Sequence, residues 1–144
     1  MYDRILVPTD GSDHSDLAAE HAIDLAERFG AIVHALFVVE RAGPSGHWDF
    51  AVEKQEETGE EALDAVATRG DERDIYVERH LRRGVPSEEI VDAAVDYEVD
   101  LIVMGTQGRT GLSRIATTGS TTERVVRLTD VPTLVVGGAS AGNA

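Results

Sequence analysis

Gly105, Gly108, Gly119 and Ser120 stand in the order Gly-x2-Gly-x10-Gly-Ser, directly after the apolar run Leu101-Ile102-Val103-Met104. Glycines let a backbone approach an anion closely, and the free N–H groups of a helix start can hold a phosphate. Arg109 and Arg114, in the same stretch, would add charge-assisted hydrogen bonds. The chemistry on offer is the cradling of an anionic ligand by a loop about three times longer than a chain reversal needs. It is not a phosphate motif of the commonest kinds. GxxxxGK[ST] is absent, and Gly105, Gly108 and Gly111 are spaced three apart, which is not GxGxxG. Ser120 and Glu123 also form S-x-x-E, a capping box that explains both residues without any ligand. The two readings are compatible, because a capped helix still offers other first-turn amides. Asp10, in "PTDGS", is the second candidate, open between ligand contact, turn former and helix cap.

Other chemistries find little support. Cysteine is absent, which removes disulfides, thiolate catalysis and Cys-based metal sites. His14, His21, His34, His47 and His80 are scattered without metal-ligand spacing, and each is read as structural or surface. HExxH and GxSxG do not occur, and no Ser-His-Asp arrangement can be inferred.

The elements that position these residues alternate. Tyr2 to Thr9 reads as a strand with Ile5-Leu6-Val7 buried on both faces. A helix follows, with Leu17, Ala18, His21, Ala22, Leu25, Ala26 and Phe29 at helical spacing and Gly30 as its C-terminal cap. Ala31 to Glu40 is a second buried strand, and "RAGPSGHWDF" a loop. A charged helix from about Phe50 to Gly70 turns Ala62, Leu63, Val66 and Ala67 inward. Asp74 to Leu81 alternates as a strand nearer an edge. The next helix has Pro86 near its start, Glu88 and Glu89 in its first turn, and Ile90, Val91, Ala94 and Val95 inward. "VDLIVMG" is the fourth strand. The polar loop comes next, then a helix through about Thr129 and "VPTLVVG" as the fifth strand, before a frayed tail over 138–144. Alternation of this kind implies a single doubly wound α/β domain, over 1–137, with a parallel sheet covered on both faces. Ligands of such sheets bind beyond the carboxyl ends of strands where the strand order reverses, which singles out the loops after strands one and four.

Composition bounds the function. The 144 residues carry a formal net charge of −14. So acidic a surface repels nucleic acid and anionic lipid. Hydrophobic residues make up 42%, and no apolar run approaches the roughly 20 residues that span a bilayer. The start, Met1-Tyr2-Asp3-Arg4, has no signal architecture, so a cytoplasmic protein is expected. Lys54 is the only lysine; the other basic residues are arginine. An acid-rich, lysine-poor chain suggests adaptation to a salt-saturated, halophilic cytoplasm, where screening makes dense like charge tolerable. Loss of structure in low salt is the expected result; a circular dichroism spectrum unchanged between molar salt and dilute buffer would point to an ordinary acidic protein.

"RILVPTDGS", "LIVMGTQGRTGLSR", "GSTTERVV" and "DVPTLVV", in that order along essentially the whole chain, resemble the universal stress protein family. Gly105, Gly108, Gly119 and Ser120 resemble the G-x2-G-x9-G-[ST] mark of its nucleotide-binding branch. The resemblance implies a five-stranded parallel sheet of order 3-2-1-4-5 that binds ATP or AMP, with any Mg²⁺ carried in on the nucleotide. By the same resemblance, Asp10 contacts the nucleoside, Pro8 and Thr9 shape the pocket, and the Val38 backbone meets the adenine edge. Met104, Gly105 and Gly108 line the ribose and phosphates with Arg109 nearby, while Gly119, Ser120, Thr121 and Thr122 hold phosphates. A homodimer through the last strand, about Thr133 to Val136, is implied too. Two departures stand out. The loop has ten residues, Arg109 to Thr118, where the family pattern has nine, and Gln107 replaces a frequent histidine.

The functional expectation is a cytoplasmic, adenine-nucleotide-binding stress or regulatory protein. A dimeric interaction protein of the same fold that binds no nucleotide is one alternative. A slow ATP hydrolase using Asp10 and Asp13 is the other.

Overall fold

The computed structural model describes residues 1–40, 48–106 and 121–137. Five strands and four helices follow one another along these residues: β1 (Arg4–Pro8), α1 (Asp13–Phe29), β2 (Ile32–Val39), α2 (Trp48–Asp71), β3 (Val77–Arg83), α3 (Pro86–Asp96), β4 (Leu101–Gly105), α4 (Thr121–Leu128) and β5 (Thr133–Val136). All pairings are parallel and the order is β3-β2-β1-β4-β5. The doubly wound sheet expected from the alternation is therefore present, in the order that the resemblance implied.

Continuous apolar runs build the middle of the sheet because both of its faces are covered. Ile5, Val7, Val33, Ala35, Phe37 and Val103 point to α1 and α2, where they meet Ala18, Ala22, Ile23, Leu63 and Val66. Leu6, Leu36, Ile102 and Met104 point to the other side, against Ile90, Ala93 and Ala94 of α3 and Val125 of α4. Among the described residues no helix is long and apolar enough to cross a membrane.

Helix ends follow local chemistry. Ser12 caps α1, its side chain accepting from Ser15 N–H, with Asp13 and Asp16 in the positive first turn. Gly30 closes the helix at φ 70°, as its position in the sequence predicts. Pro86 opens α3 without a side-chain cap. At the opposite end of the sheet from the two polar loops, the Asp100 carboxylate accepts from the backbone N–H groups of Asp3 and Arg4, pinning the start of β1 to β4.

Several boundaries and faces differ from the sequence reading. The third strand starts at Val77 and not Asp74. Helix α2 runs on to Asp71, and its exit turn uses the intervening residues: Ile75 N–H returns to Gly70 O, and Asp74 takes φ 60°. Helix α2 starts at Trp48, two residues before the expected Phe50, so Trp48 and Asp49 belong to it and not to the preceding loop. In α1 the buried stripe includes Ala19 and Ile23, while His21 faces solvent and Phe29 is 39% exposed against Tyr2. Helix α1 packs on both the sheet and α2, which centres its apolar face between two rows. Val95 points outward, 69% exposed; Ala93 takes the inward place beside Ile90 and Ala94. The loop expected over 41–47 and the tail over 138–144 lie outside the described residues.

The arginines bridge elements. Arg73 reaches Asp24 and Glu27, and Arg69 reaches Glu20, tying α2 and its exit turn to α1; Arg79 and Arg83 reach Asp64 and Glu56 from β3. Such exposed pairs contribute under about 1 kcal/mol each, but the forked guanidinium serves two carboxylates at once where an ammonium would not.

Candidate functional site

Strand β1 ends at Pro8 and β4 at Gly105. Leu6 registers with Ile102, so the two ends lie side by side. The order reverses here, with β2 on one flank of β1 and β4 on the other. Pro8 registers with Leu36, so β2 continues and places half-buried Val38 two residues further out, bordering the same crevice.

The turn after β1 is wired to itself. Thr9 is buried and its N–H donates to Leu36 O at 2.8 Å, which carries the β1–β2 ladder one step beyond the strand. Ser15 Oγ donates its single proton to Ser12 O at 2.9 Å. The 3.1 Å contact between the hydroxyls therefore runs from Thr9 Oγ1 to Ser15 Oγ. Gly11, at φ 83°, donates its N–H to Thr9 Oγ1 at 3.2 Å. Asp10 Oδ1 accepts from Ser12 N–H at 2.9 Å. Of the readings left open for Asp10, the turn former is realised, through one of its two oxygens, and the cap is Ser12.

On the β4 side, Thr122 Oγ1 donates to Gly105 O at 2.7 Å. The segment that leaves after Thr106 thus returns, as α4, to the residue it left. Gly105 has a packing reason of its own: a Cβ there would sit 2.7 Å from the His14 carbonyl oxygen in the first turn of α1. Met104 is buried with Leu6, Leu36 and Ile102, so its side chain serves the core. Thr121 opens α4 and is exposed. Pro8, Thr9, Asp10, Val38, Gly105, Thr121 and Thr122 are accordingly at one end of the sheet. Gly108, Arg109, Gly119 and Ser120 lie outside the described residues, as does Arg114.

A second cluster escaped the sequence reading. His34 and His80, read as scattered, meet across β2 and β3 with His34 Nδ1 2.9 Å from His80 Nε2. Glu78 Oε2 lies 3.7 Å from the same His80 nitrogen. The Tyr97 ring stacks on His80 at 3.9 Å, and Arg82 donates to Tyr97 Oη at 3.3 Å while pairing with Glu89 and Asp96. Burial lowers the His34 pKa against a smaller opposing pull from Glu78; burial, then the neighbouring His34, lowers that of His80. The only trace in the sequence is that Glu78 and His80 alternate on one strand face.

The fold and its switch-point crevice define the class: a doubly wound α/β domain of the kind that binds small ligands at its strand ends. The family model described as "Universal stress protein family" matches residues 1–137. The chain belongs to the universal stress protein family. Universal stress protein MJ0531 of Methanocaldococcus jannaschii is 43% identical over 141 residues, covering 94% of this chain and 82% of that protein. The solved structure of the hypothetical protein MJ0577, from the same organism, superposes with a TM-score of 0.80 at 32% identity, over 96% of this chain and 97% of that one. The universal stress protein from Archaeoglobus fulgidus, solved in complex with dAMP, shares the fold at a TM-score of 0.73 and 21% identity, over 93% and 97%.

Proposed function

We propose that this protein is a cytoplasmic stress-response regulator that binds ATP or AMP between the loops after β1 and β4. The observation that carries the reading is the hydrogen bond from Thr122 to Gly105, which brings the start of α4 onto the end of β4 at the switch point. A family member of the same fold holds dAMP, which supports an adenine nucleotide as the occupant. In this reading Asp10 faces the nucleoside with its remaining oxygen and Pro8, Thr9 and Val38 shape its seat. Gly105, Gly108 and Arg109 follow the ribose and phosphates, and Gly119, Ser120, Thr121 and Thr122 hold the phosphates at the start of α4. Any Mg²⁺ rides in on the nucleotide. The protein works as a homodimer through β5, an edge strand whose Leu134 and Val135 are exposed.

The second reading, an interaction protein of the same fold without nucleotide, draws on two observations. Gly105 is required by the approach of α1, and one Asp10 oxygen is committed to its turn. Mass spectrometry of small molecules released from protein purified in molar potassium chloride separates the two. Near-stoichiometric ATP, ADP or AMP is expected, with light scattering of the same sample giving the mass of a dimer. No released nucleotide, together with a melting temperature unmoved by added ATP or AMP, would favour the second reading. Gly119→Trp should abolish binding; undiminished affinity in that variant would remove the proposed phosphate seat.

A further inference from the structure

We propose that His34, Glu78 and His80 form a binding site for one divalent transition-metal ion, for which Zn²⁺ is the best fit. The site is built by strand register. His34 pairs with Glu78 and Leu36 with His80, so residues 34, 78 and 80 project from one face of the β2–β3 pair, the face that packs against α3. One donor atom from each of the three lies within 4.8 Å of the others. Tetrahedral zinc with ligands at about 2.0–2.2 Å needs donor atoms about 3.3 Å apart. His34 Nδ1 to His80 Nε2 is 2.9 Å and His80 Nε2 to Glu78 Oε2 is 3.7 Å. The first opens and the second closes by a few tenths of an ångström, and the third, His34 to Glu78, within 4.8 Å, is brought in by a turn of the half-exposed Glu78 side chain.

The donor set is two imidazoles and one carboxylate. That suits zinc and its transition-metal neighbours; magnesium and calcium prefer all-oxygen shells. The rings are also held in place. His34 and His80 lie within 18° of parallel, Tyr97 stacks on His80, and Arg82 holds the Tyr97 hydroxyl. Support of this kind orients a ligand before the ion arrives. Glu78 is half exposed on an edge strand, its side chain 45% accessible, which leaves a path for the ion and an open position for water.

The hydrogen bond between the two histidines, His34 Nδ1 to His80 Nε2, occupies the position that the ion would take. His34 is only 6% exposed; its Nδ1 faces His80, and its Nε2, which lies outside the donor set, has no partner among the described residues. The cluster is also separate from the nucleotide crevice. His34 is the third residue of β2, whereas the crevice lies beyond the far ends of the strands.

Equilibrium dialysis of the full chain against Zn²⁺ tests the site, in molar potassium chloride with excess Mg²⁺ so that surface carboxylates are screened and occupied. One zinc per chain is expected. His80→Gln, on an edge strand, should weaken it more than roughly 100-fold, beyond the loss of an outer-shell partner. Glu78→Gln, isosteric and half exposed, should weaken it by at least about tenfold. Co²⁺ in place of zinc should give the visible absorption of a four-coordinate ion in the native chain and not in His80→Gln, with circular dichroism confirming that both variants fold. No zinc on the native chain, or equal affinity in the native chain and either variant, would overturn the proposal.

Discussion

Gly105→Ala is expected to destabilise the protein by about 1–3 kcal/mol, a fall in melting temperature of about 3–10 °C for a chain of this size, and to weaken adenine-nucleotide binding. The added methyl would stand 2.7 Å from the His14 carbonyl oxygen and 2.9 Å from its carbonyl carbon. Both are backbone atoms of the first turn of α1, so no rotamer change relieves the contact. Either α1 rises from the sheet or the end of β4 tilts away. Each movement displaces the site, because α1 begins at the capped turn that holds Thr9 and Asp10, and Gly105 O receives Thr122 from α4. Gly30 is a useful contrast: nothing lies within 4 Å of its Cβ position, so alanine there meets only the strain of φ +70° and leaves the crevice alone. Thermal melts with and without ATP read both effects. An unchanged melting temperature in Gly105→Ala would show that the helix has room to yield.

That close approach also shows how much of the site was legible in the sequence. The glycine pattern and the polar exits of β1 and β4 mark the right end of the sheet, because loops at a switch point must be polar and small whatever they bind. The pattern does not separate a glycine that admits a ligand from one that admits a helix, since both look alike until the helix is placed. The fold was legible for a firmer reason. Ile5-Leu6-Val7 and Leu101 to Met104 are continuous enough to read as strands buried on two faces, and α1 carries caps at both ends, Ser12 and Gly30. The start of β3 was misplaced because a helix exit, through Gly70 and the left-handed Asp74, took residues whose alternation reads as strand. His34 and His80 were invisible as a pair. They are 46 residues apart, and only the β2–β3 register decides that they meet.

Leu6→Ala should be the costliest of the single truncations considered, about 4–5 kcal/mol, near the top of the range for buried leucines. Leu6 sits at the centre of the middle strand, wholly buried, with Leu36 and Ile102 beside it on the same face. How much a truncation costs depends on how far the surroundings can collapse into the space left behind. Here they can do little. The facing residues of α3 include Ala93 and Ala94, which have no side chain to extend. The backbone of β1 is held on both sides, by β2 through Arg4 to Pro8 and by β4 at Ile5 and Leu6, so the strand cannot shift to fill the gap. The cavity stays open, and the full transfer and cavity terms are lost together. Leu134→Ala supplies the comparison within the same sheet. That leucine is 39% exposed on the edge strand β5, where truncation in an isolated chain should cost under about 0.5 kcal/mol. Denaturant melts at two protein concentrations distinguish the cases. Leu6→Ala loses the same stability at both; a loss in Leu134→Ala that shrinks on dilution is expected only if a second copy covers β5. Equal, small losses for the two leucines would mean that the sheet centre relaxes as freely as its edge.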